Sequence, residues 1–283
     1  MKQRSRILRK SFNYLASGVA GFSAALGLMV LGWILITVLS KGLAAYNTNF
    51  FSRLPTPPGM AGGGLANAIL GTLLLTVLAG LMGIPLGLLA GIYLSEFGLN
   101  RRFAQSVRFL TNILMGTPSI IIGIFVYTFL VAPLGHFSAY SGAVALAIMM
   151  LPVVARTTED MLQMVPKELR ESALALGAPR WRTTLQVIFR SAKSGLLTGV
   201  LLAVARVSGE TAPLLFTALN SPYWPSGLNQ PVANLTVTIF NYAMSPYPDW
   251  QRMAWGASLL ITLSVLALML VSRLALIERK VKP

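Results

Sequence analysis

Arg206 and Glu210 are the residues of this sequence whose chemistry is most at odds with their surroundings. They stand in the run Arg206-Val207-Ser208-Gly209-Glu210-Thr211-Ala212-Pro213, inside a long apolar stretch, Ser194–Leu219. Counted from Ser194 at about 1.5 Å per residue, Arg206 lies roughly 18 Å along a helix. That is past the middle of a hydrocarbon core about 30 Å thick. An arginine at that depth costs at least about 2.5–3.5 kcal/mol, so it must face a water-filled path, a partner charge, or both. A spacing of four places Glu210 on the same helical face, within reach of an ion pair. Two roles fit the pair. It neutralises itself for purely structural reasons, or the guanidinium offers its fork of donors to a passing oxyanion. In the second case Glu210 keeps the anion from binding too tightly to be released. Gly209 and Pro213 break the helix locally and offer backbone groups to the path.

A second constellation lies in the segment 156–193, far longer than the roughly 2–8 residues that usually join helices. Pro166 suits the first position of a helix, and Glu168 and Glu171 fall near its start, where the helix dipole favours negative charge. Gly177 follows Ala173-Leu174-Ala175-Leu176 as a helix stop. Pro179 then opens a second short helix through Leu185. Ala173 and Gly177, four apart, leave one face bare enough for a close approach. Arg156, at the head of Arg156-Thr157-Thr158-Glu159-Asp160, fits either an anchor for the inner end of a span or a further basic contact in a conduit. Thr117 and Ser119 in Gly116-Thr117-Pro118-Ser119 carry hydroxyls suited to a polar path, although hydroxyls also pack helices routinely.

The elements that hold these residues are membrane helices. The chain is 55% hydrophobic and only 11% charged, against about a quarter charged for soluble domains. Six apolar runs meet the length of a span: Val19–Leu39, Asn67–Leu94, Phe109–Ala132, Ala139–Ala155, Ser194–Leu219 and Met253–Ser272. The fold class is therefore all-α and polytopic. Basic residues fall on alternate sides of these runs. Five precede the first (Lys2 to Lys10), Arg101, Arg102 and Arg108 follow the second, seven lie from Arg156 to Lys193, and Arg273, Arg279, Lys280 and Lys282 follow the sixth. The opposite side holds only Lys41, Arg53 and Arg252. This bias places both termini, the basic segments 1–18 and 273–283, in the cytoplasm. The first run is too long for a signal-peptide core and reads as a retained anchor.

The net charge of +15 is thus a topology signal, and no stretch interleaves basic and aromatic residues as a nucleic-acid groove would. There is no cysteine and one histidine, His136, which leaves no thiolate or histidine metal site. No phosphate loop of the ATPase type is present. Gly83, Gly87 and Gly91 recur every fourth residue of the second span, which fits close packing within a bundle. The outer loop from Asn220 to Arg252 is rich in proline and carries Trp224 and Trp250, residue types of the interfacial belt.

The segment Glu171-Ser172-Ala173-Leu174-Ala175-Leu176-Gly177, followed nine residues later by Val187-Ile188-Phe189, resembles the EAA loop of binding-protein-dependent ABC importer permeases. Ser172 replaces the first alanine of that pattern, and Arg190 stands where proline is frequent. The run from Ala203 through Leu215, with Gly116-Thr117-Pro118-Ser119, Leu151-Pro152 and Arg156 to Asp160, is similar to the A-type phosphate transport system permeases. The likeness implies a type I importer permease fold, with residues 67–272 as a five-helix core and 19–39 as an additional helix. It also implies that Glu171, Ala173 and Gly177 contact an ATPase and that Arg206, Glu210, Arg156, Thr117 and Ser119 line a phosphate path. A sister permease, two ATPase subunits carrying ATP and Mg, and an external phosphate-binding protein complete the implied assembly. The chain itself carries no cofactor on this reading. A permease for sulfate or molybdate and an ion-gradient-driven carrier are the alternatives.

Overall fold

A computed structural model describes residues 2–98 and 102–277, with side chains for 9–98 and 102–271. Arg101 and the tail from residue 278, with Arg279, Lys280 and Lys282, lie outside the described residues, as do the side chains of Lys2, Arg4, Arg6 and Arg273. Every regular element described is helical. Helix α1 (Lys2–Leu43) is unbroken, and a short α2 (Thr48–Ser52) leads to α3 (Ala66–Ile92), which ends in a π-helical turn, Tyr93–Phe97. Then come α4 (Arg102–Gly116) and α5 (Ser119–Val126), the latter running through a π-turn into α6 (Ala132–Leu134). The long α7 (Ala139–Gln163) is followed by α8 (Lys167–Ala175) and α9 (Arg180–Arg182). A further π-turn, Thr183–Ile188, joins α9 to α10 (Phe189–Ser208). Helices α11 (Ala212–Leu215), α12 (Leu235–Ala243) and α13 (Pro248–Ile277) complete the chain.

Among the described residues, five helical stretches are long and apolar enough to cross a membrane: Arg9–Leu43, Ala66–Phe97, Ala139–Gln163, Arg180–Ser208 and Pro248–Val271. The sixth expected span, Phe109–Ala132, is not a single helix. It divides between α4 and the α5–α6 stretch, which meet at a 105° bend. The cause is local. Pro118 pushes the residue before it out of the α region and itself adopts an extended ψ of 133°. Thr117 donates its hydroxyl to Ile113 O at 2.7 Å, closing the end of α4.

The expected fifth span, Ser194–Leu219, is likewise corrected at both ends. Its helix begins far earlier, because the short helix expected to end at Leu185 runs on through the π-turn into α10 without interruption. It stops at Ser208, where Gly209 takes the cap.

Helix α7 is the centre of the bundle: 67% of its apolar window is buried within this chain, whereas the corresponding share of α1 is 0%. Its partner is α3, the most extensively packed helix pair described. The every-fourth glycine stripe makes this possible. A Cβ on Gly83 would lie 3.2 Å from Ala147 O, and one on Gly87 would lie 2.7 Å from Val154 Cβ. One on Gly91 would collide with Thr158 Cβ. The contacts advance together along both helices, so α3 and α7 run parallel. Helix α10 packs against α7 the other way, since Gly195 abuts Met161 and Gly199 abuts Thr157. Helices α12 and α13 close the outer end with Phe50, Leu65, Tyr242 and Met253, and Trp250 stacks on Tyr242 at 4.3 Å. Helix α1 meets the rest of the chain along α13, where Gly42 abuts Leu259.

The seam yields a stability prediction. Replacing Gly91 with leucine forces α3 off α7 and costs about 1–3 kcal/mol, the usual magnitude for overpacking. Gly27→Leu, at an α1 position with nothing of this chain within 4 Å, leaves stability unchanged. Thermal unfolding of the two purified variants in detergent is the measurement.

Candidate functional site

Arg206 occupies the last turn of α10 and Glu210 the break that follows it. Glu210 donates its backbone N–H to Val207 O at 3.2 Å and then leaves the helix. Its carbonyl accepts from Thr236 Oγ1 at 2.8 Å. Thr236 is held by α12's cap residue, Asn234, whose Oδ1 lies 2.9 Å from Thr236 Oγ1 and 2.9 Å from the Val237 N–H. Leu235 N–H donates to Thr72 Oγ1 of α3 at 2.8 Å. The break is therefore tied from behind to two other elements. From the side, Gly123 of α5 brings its backbone against Pro213, and a Cβ there would come within 2.7 Å of Pro213 Cα.

The expected Arg206–Glu210 ion pair is absent among the described residues. The helix ends between the two, so Glu210 does not stand one turn above Arg206. Arg206 is exposed on the surface of this chain, Glu210 is half-buried, and no described group binds either side chain. An unpaired guanidinium cannot face lipid at that depth cheaply. The face that bears it must be covered by water, by another chain, or by both.

The other expected path residues fall around this break on several elements. Ser119 opens α5 one turn before Gly123, on the face that meets Pro213, whereas Thr117 sits at the α4–α5 bend with its hydroxyl committed to Ile113 O. The antiparallel register of α7 and α10 sets Thr157 beside Gly199. It thereby places Arg156 about 9 Å inward of Arg206 along the bundle. Arg156 pairs within its own helix, with Asp160 at 3.2 Å and Glu159 at 3.8 Å, and its side chain remains 43% exposed. The inner-anchor reading of Arg156 thus has a geometric basis, and its outer edge is still free for a ligand. No group of His, Asp or Glu side chains placed to hold a metal is present among the described residues.

The glycine corner forms as its sequence requires. Gly177 has φ +82°, the left-handed region that favours glycine. Ala178 N–H bonds to Ala173 O at 3.2 Å and Gly177 N–H to Leu174 O at 2.9 Å, the two bonds of a Schellman stop. Pro166 caps α8 rather than opening its first turn. The corner presents Glu171, Leu174, Trp181 and Leu176 outward, the last 89% exposed, while Ala173 is half-buried. Apolar side chains left bare in this way mark an interaction surface.

Beneath the corner lies an ionic network that the sequence reading missed. Arg170 of α8 donates to Leu162 O at 2.6 Å and to Val165 O at 3.3 Å, and it pairs with Glu96 in the π-turn that ends α3 at 2.9 Å. Arg108 of α4 pairs through Nε with Glu159 of α7 at 2.7 Å and donates through Nη2 to Leu94 O at 2.8 Å. Gln163 Nε2 adds a bond to Glu159 at 3.1 Å. Arg108 and Arg170 had been read as inside-facing topology charges. The usable signal was the scarcity of acids: with only 8 in the sequence, Glu96 and Glu159 at the inner ends of two spans each call for a basic partner.

Glu159, 3% exposed, makes this network testable. Removing a partner from a buried pair typically costs about 3–5 kcal/mol; Arg156 nearby and the partial exposure of Arg108 place Arg108→Ala near the lower end of that range. Arg108→Lys recovers only part of the loss, because an ammonium lacks the rigid fork that serves Glu159 and Leu94 O together. Chemical unfolding of the purified variants measures both.

The chain is 46% identical to the phosphate transport system permease protein PstA of Yersinia pestis, over 99% of its own length and 95% of that protein's. It is 48% identical to the protein of the same name from Haemophilus influenzae, over 96% of each. Its fold is shared with a chain of the MetNI methionine ABC transporter in an inward-facing conformation, with a TM-score of 0.63 at 20% identity, covering 74% of this chain and 93% of the other. Residues 83–282 match the model of the binding-protein-dependent transport system inner membrane component, and the chain belongs to that family.

Proposed function

We propose that this chain is the permease subunit of an ATP-driven, binding-protein-dependent importer of inorganic phosphate. The observation that carries the reading is the break after α10, which leaves Arg206 unpaired on an exposed face of this chain. The names of the near-full-length relatives support the choice of phosphate over sulfate or molybdate.

On this reading the phosphate oxyanion meets the Arg206 guanidinium at the break. Charge-assisted bonds supply about 1.5–3 kcal/mol each, net of the water they replace, which holds the anion without trapping it. Glu210, close by and free of Arg206, repels the doubly charged form and favours release. Ser119 supplies a hydroxyl along the wall, Thr117, with its hydroxyl held by Ile113 O, shapes the bend beside it, and Arg156, about 9 Å further in, receives the anion next. A sister permease covers the face that bears Arg206. Glu171, Ala173 and Gly177 form the contact with a dimer of ATPase subunits, which bind ATP and Mg. An external phosphate-binding protein delivers the cargo to the opposite side. The chain sits in the cytoplasmic inner membrane with both termini inside, as the basic residues require.

Two variants test this assignment. Arg206→Ala lowers uptake of radiolabelled phosphate at low concentration by about 10–100-fold, the equivalent of one lost charge-assisted contact, at unchanged abundance in the membrane. Uptake at the wild-type rate would reduce Arg206 to a structural residue. Gly177→Trp places a bulky side chain at a left-handed position on the exposed corner. It abolishes transport while the protein still inserts, and full transport by this variant would remove the corner from the coupling role.

A further inference from the structure

The geometry of the inner network points to Glu96 as a positioning residue: we propose that its pairing with Arg170 is the joint through which the glycine corner drives the membrane bundle. The inference rests on reading the corner as the ATPase contact and assigns a role to residues outside it.

Helix α8 packs on the Thr183–Ile188 turn and has no comparable packing against α3 or the π-turn that ends it. Between the corner and that π-turn lies a hollow of about 580 Å³, bordered by Glu96, Arg170, Glu171, Leu174, Arg180 and Ile188. Apolar contact joins the two sides at the foot of the corner, where Ile92 of α3 packs against the cluster of Leu162, Val165 and Ile188. Across the hollow itself the link is the Arg170–Glu96 bond, at 2.9 Å, with side-chain exposures of 21% and 11%. Shielding of this kind keeps an ion pair stiff where a surface pair would be screened and mobile. Ser95 Oγ donates to the same Glu96 oxygen at 3.0 Å and fixes its direction.

The connections on either side of this bond make it a relay. Arg170 belongs to α8 and is fastened to the end of α7 through Leu162 O and to the α7–α8 turn through Val165 O, so it ties the corner to both. Two residues before Glu96, Leu94 offers its carbonyl to Arg108, and Arg108 also holds Glu159. A displacement of the corner passed to Glu96 thus reaches α4. Helix α4 ends at the 105° bend, beyond which α5 supports the break that bears Arg206. A π-turn on each side of the hollow, Tyr93–Phe97 and Thr183–Ile188, supplies backbone that can shift register more readily than a regular helix.

The test uses the assembled importer in proteoliposomes, with partner subunits and phosphate-loaded binding protein, and reads phosphate moved per ATP hydrolysed. Glu96→Ala deletes the joint and leaves Arg170's carbonyl bonds in place. The expected result is a fall in that ratio of roughly 2- to 30-fold, the range for residues along a coupling network, with the ATPase still bound and abundance unchanged. Glu96→Gln keeps an acceptor for Arg170 and loses less. An unchanged ratio in Glu96→Ala overturns the proposal. So does a loss that tracks abundance or ATPase binding, since that marks a merely structural residue. Gly177→Trp in the same assay separates the two ideas. If it uncouples while Glu96→Ala does not, only the joint is wrong; if it leaves the ratio unchanged, the reading of the corner itself fails.

Discussion

The close approach of α3 to α7 is the contact on which the rest of the molecule depends. Without a hydrophobic drive between helices in lipid, association rests on packing, and small residues allow the distance at which packing is strong. Gly83, Gly87 and Gly91 on one side meet Ala147, Val154 and Thr158 on the other. Because the two helices run parallel, the seam fixes their inner ends side by side. Glu96 and Leu94 at the end of α3 consequently stand close to Glu159 and Gln163 at the end of α7, and the charges there find partners from α4 and α8. The outer parts of the same two helices meet the ring of α10, α11 and α12 that shapes the break. A shift along the seam would misplace both sites together.

Polar groups within this bundle follow one rule in two opposite ways. At the inner end, carboxylates with little access to water are met by guanidinium groups that also satisfy backbone carbonyls, as Arg108 does for Glu159 and Leu94 O. This is the arrangement that lets a shielded ion pair recover its desolvation cost. At the break, the backbone is satisfied with equal care, through Thr236, Asn234 and Thr72, while the charged side chains of Arg206 and Glu210 are left without partners among the described residues. The contrast distinguishes the two. Among the described residues the inner carboxylates have guanidinium partners, although Glu159 Oε2 and Arg170 Nε make no hydrogen bond, whereas the Arg206 and Glu210 side chains have no charged partner at all.

The sequence made the membrane character, the glycine seam, the corner at Gly177 and the special status of Arg206 legible, because each follows from local rules of length, spacing and φ. What it misjudged were continuity and partnership. Gly116-Thr117-Pro118 broke one expected span, and hydropathy averaged over a window cannot see a break that leaves the composition apolar; at Gly209 glycine and proline signalled the break but not that it separates Arg206 from Glu210. The pairing of Arg206 with Glu210 failed because the four-residue rule assumes a helix that ends here at Ser208. The span Ala139–Ala155, the shortest by apolarity, proved to be part of the central helix, Ala139–Gln163. Its Ser141, Thr158 and Glu159 are buried against protein, so low hydropathy marked centrality rather than weakness. The pairs Glu96–Arg170 and Arg108–Glu159 span 74 and 51 positions in sequence, a separation that no local rule reaches.

The distribution of rigidity follows from these same contacts and bears on how such a chain converts a push at one end into a path at the other. Helices α3 and α7 interlock where the glycine backbone of α3 meets Ala147, Val154 and Thr158, with no room for a methyl group at Gly87 or Gly91, so they pack as one body. The corner, by contrast, joins that body through a small apolar cluster at its foot and directed polar bonds across a hollow, and the α4–α5 and α10–α11 breaks divide two of the remaining spans. The segments that lack a seam are those that carry Thr117, Ser119, Arg206 and Glu210, and on the proposed reading motion applied at the corner falls on them. Opening and closing of a path at these residues then requires no remodelling of the core, only rotation about two breaks that proline and glycine have already placed in the chain.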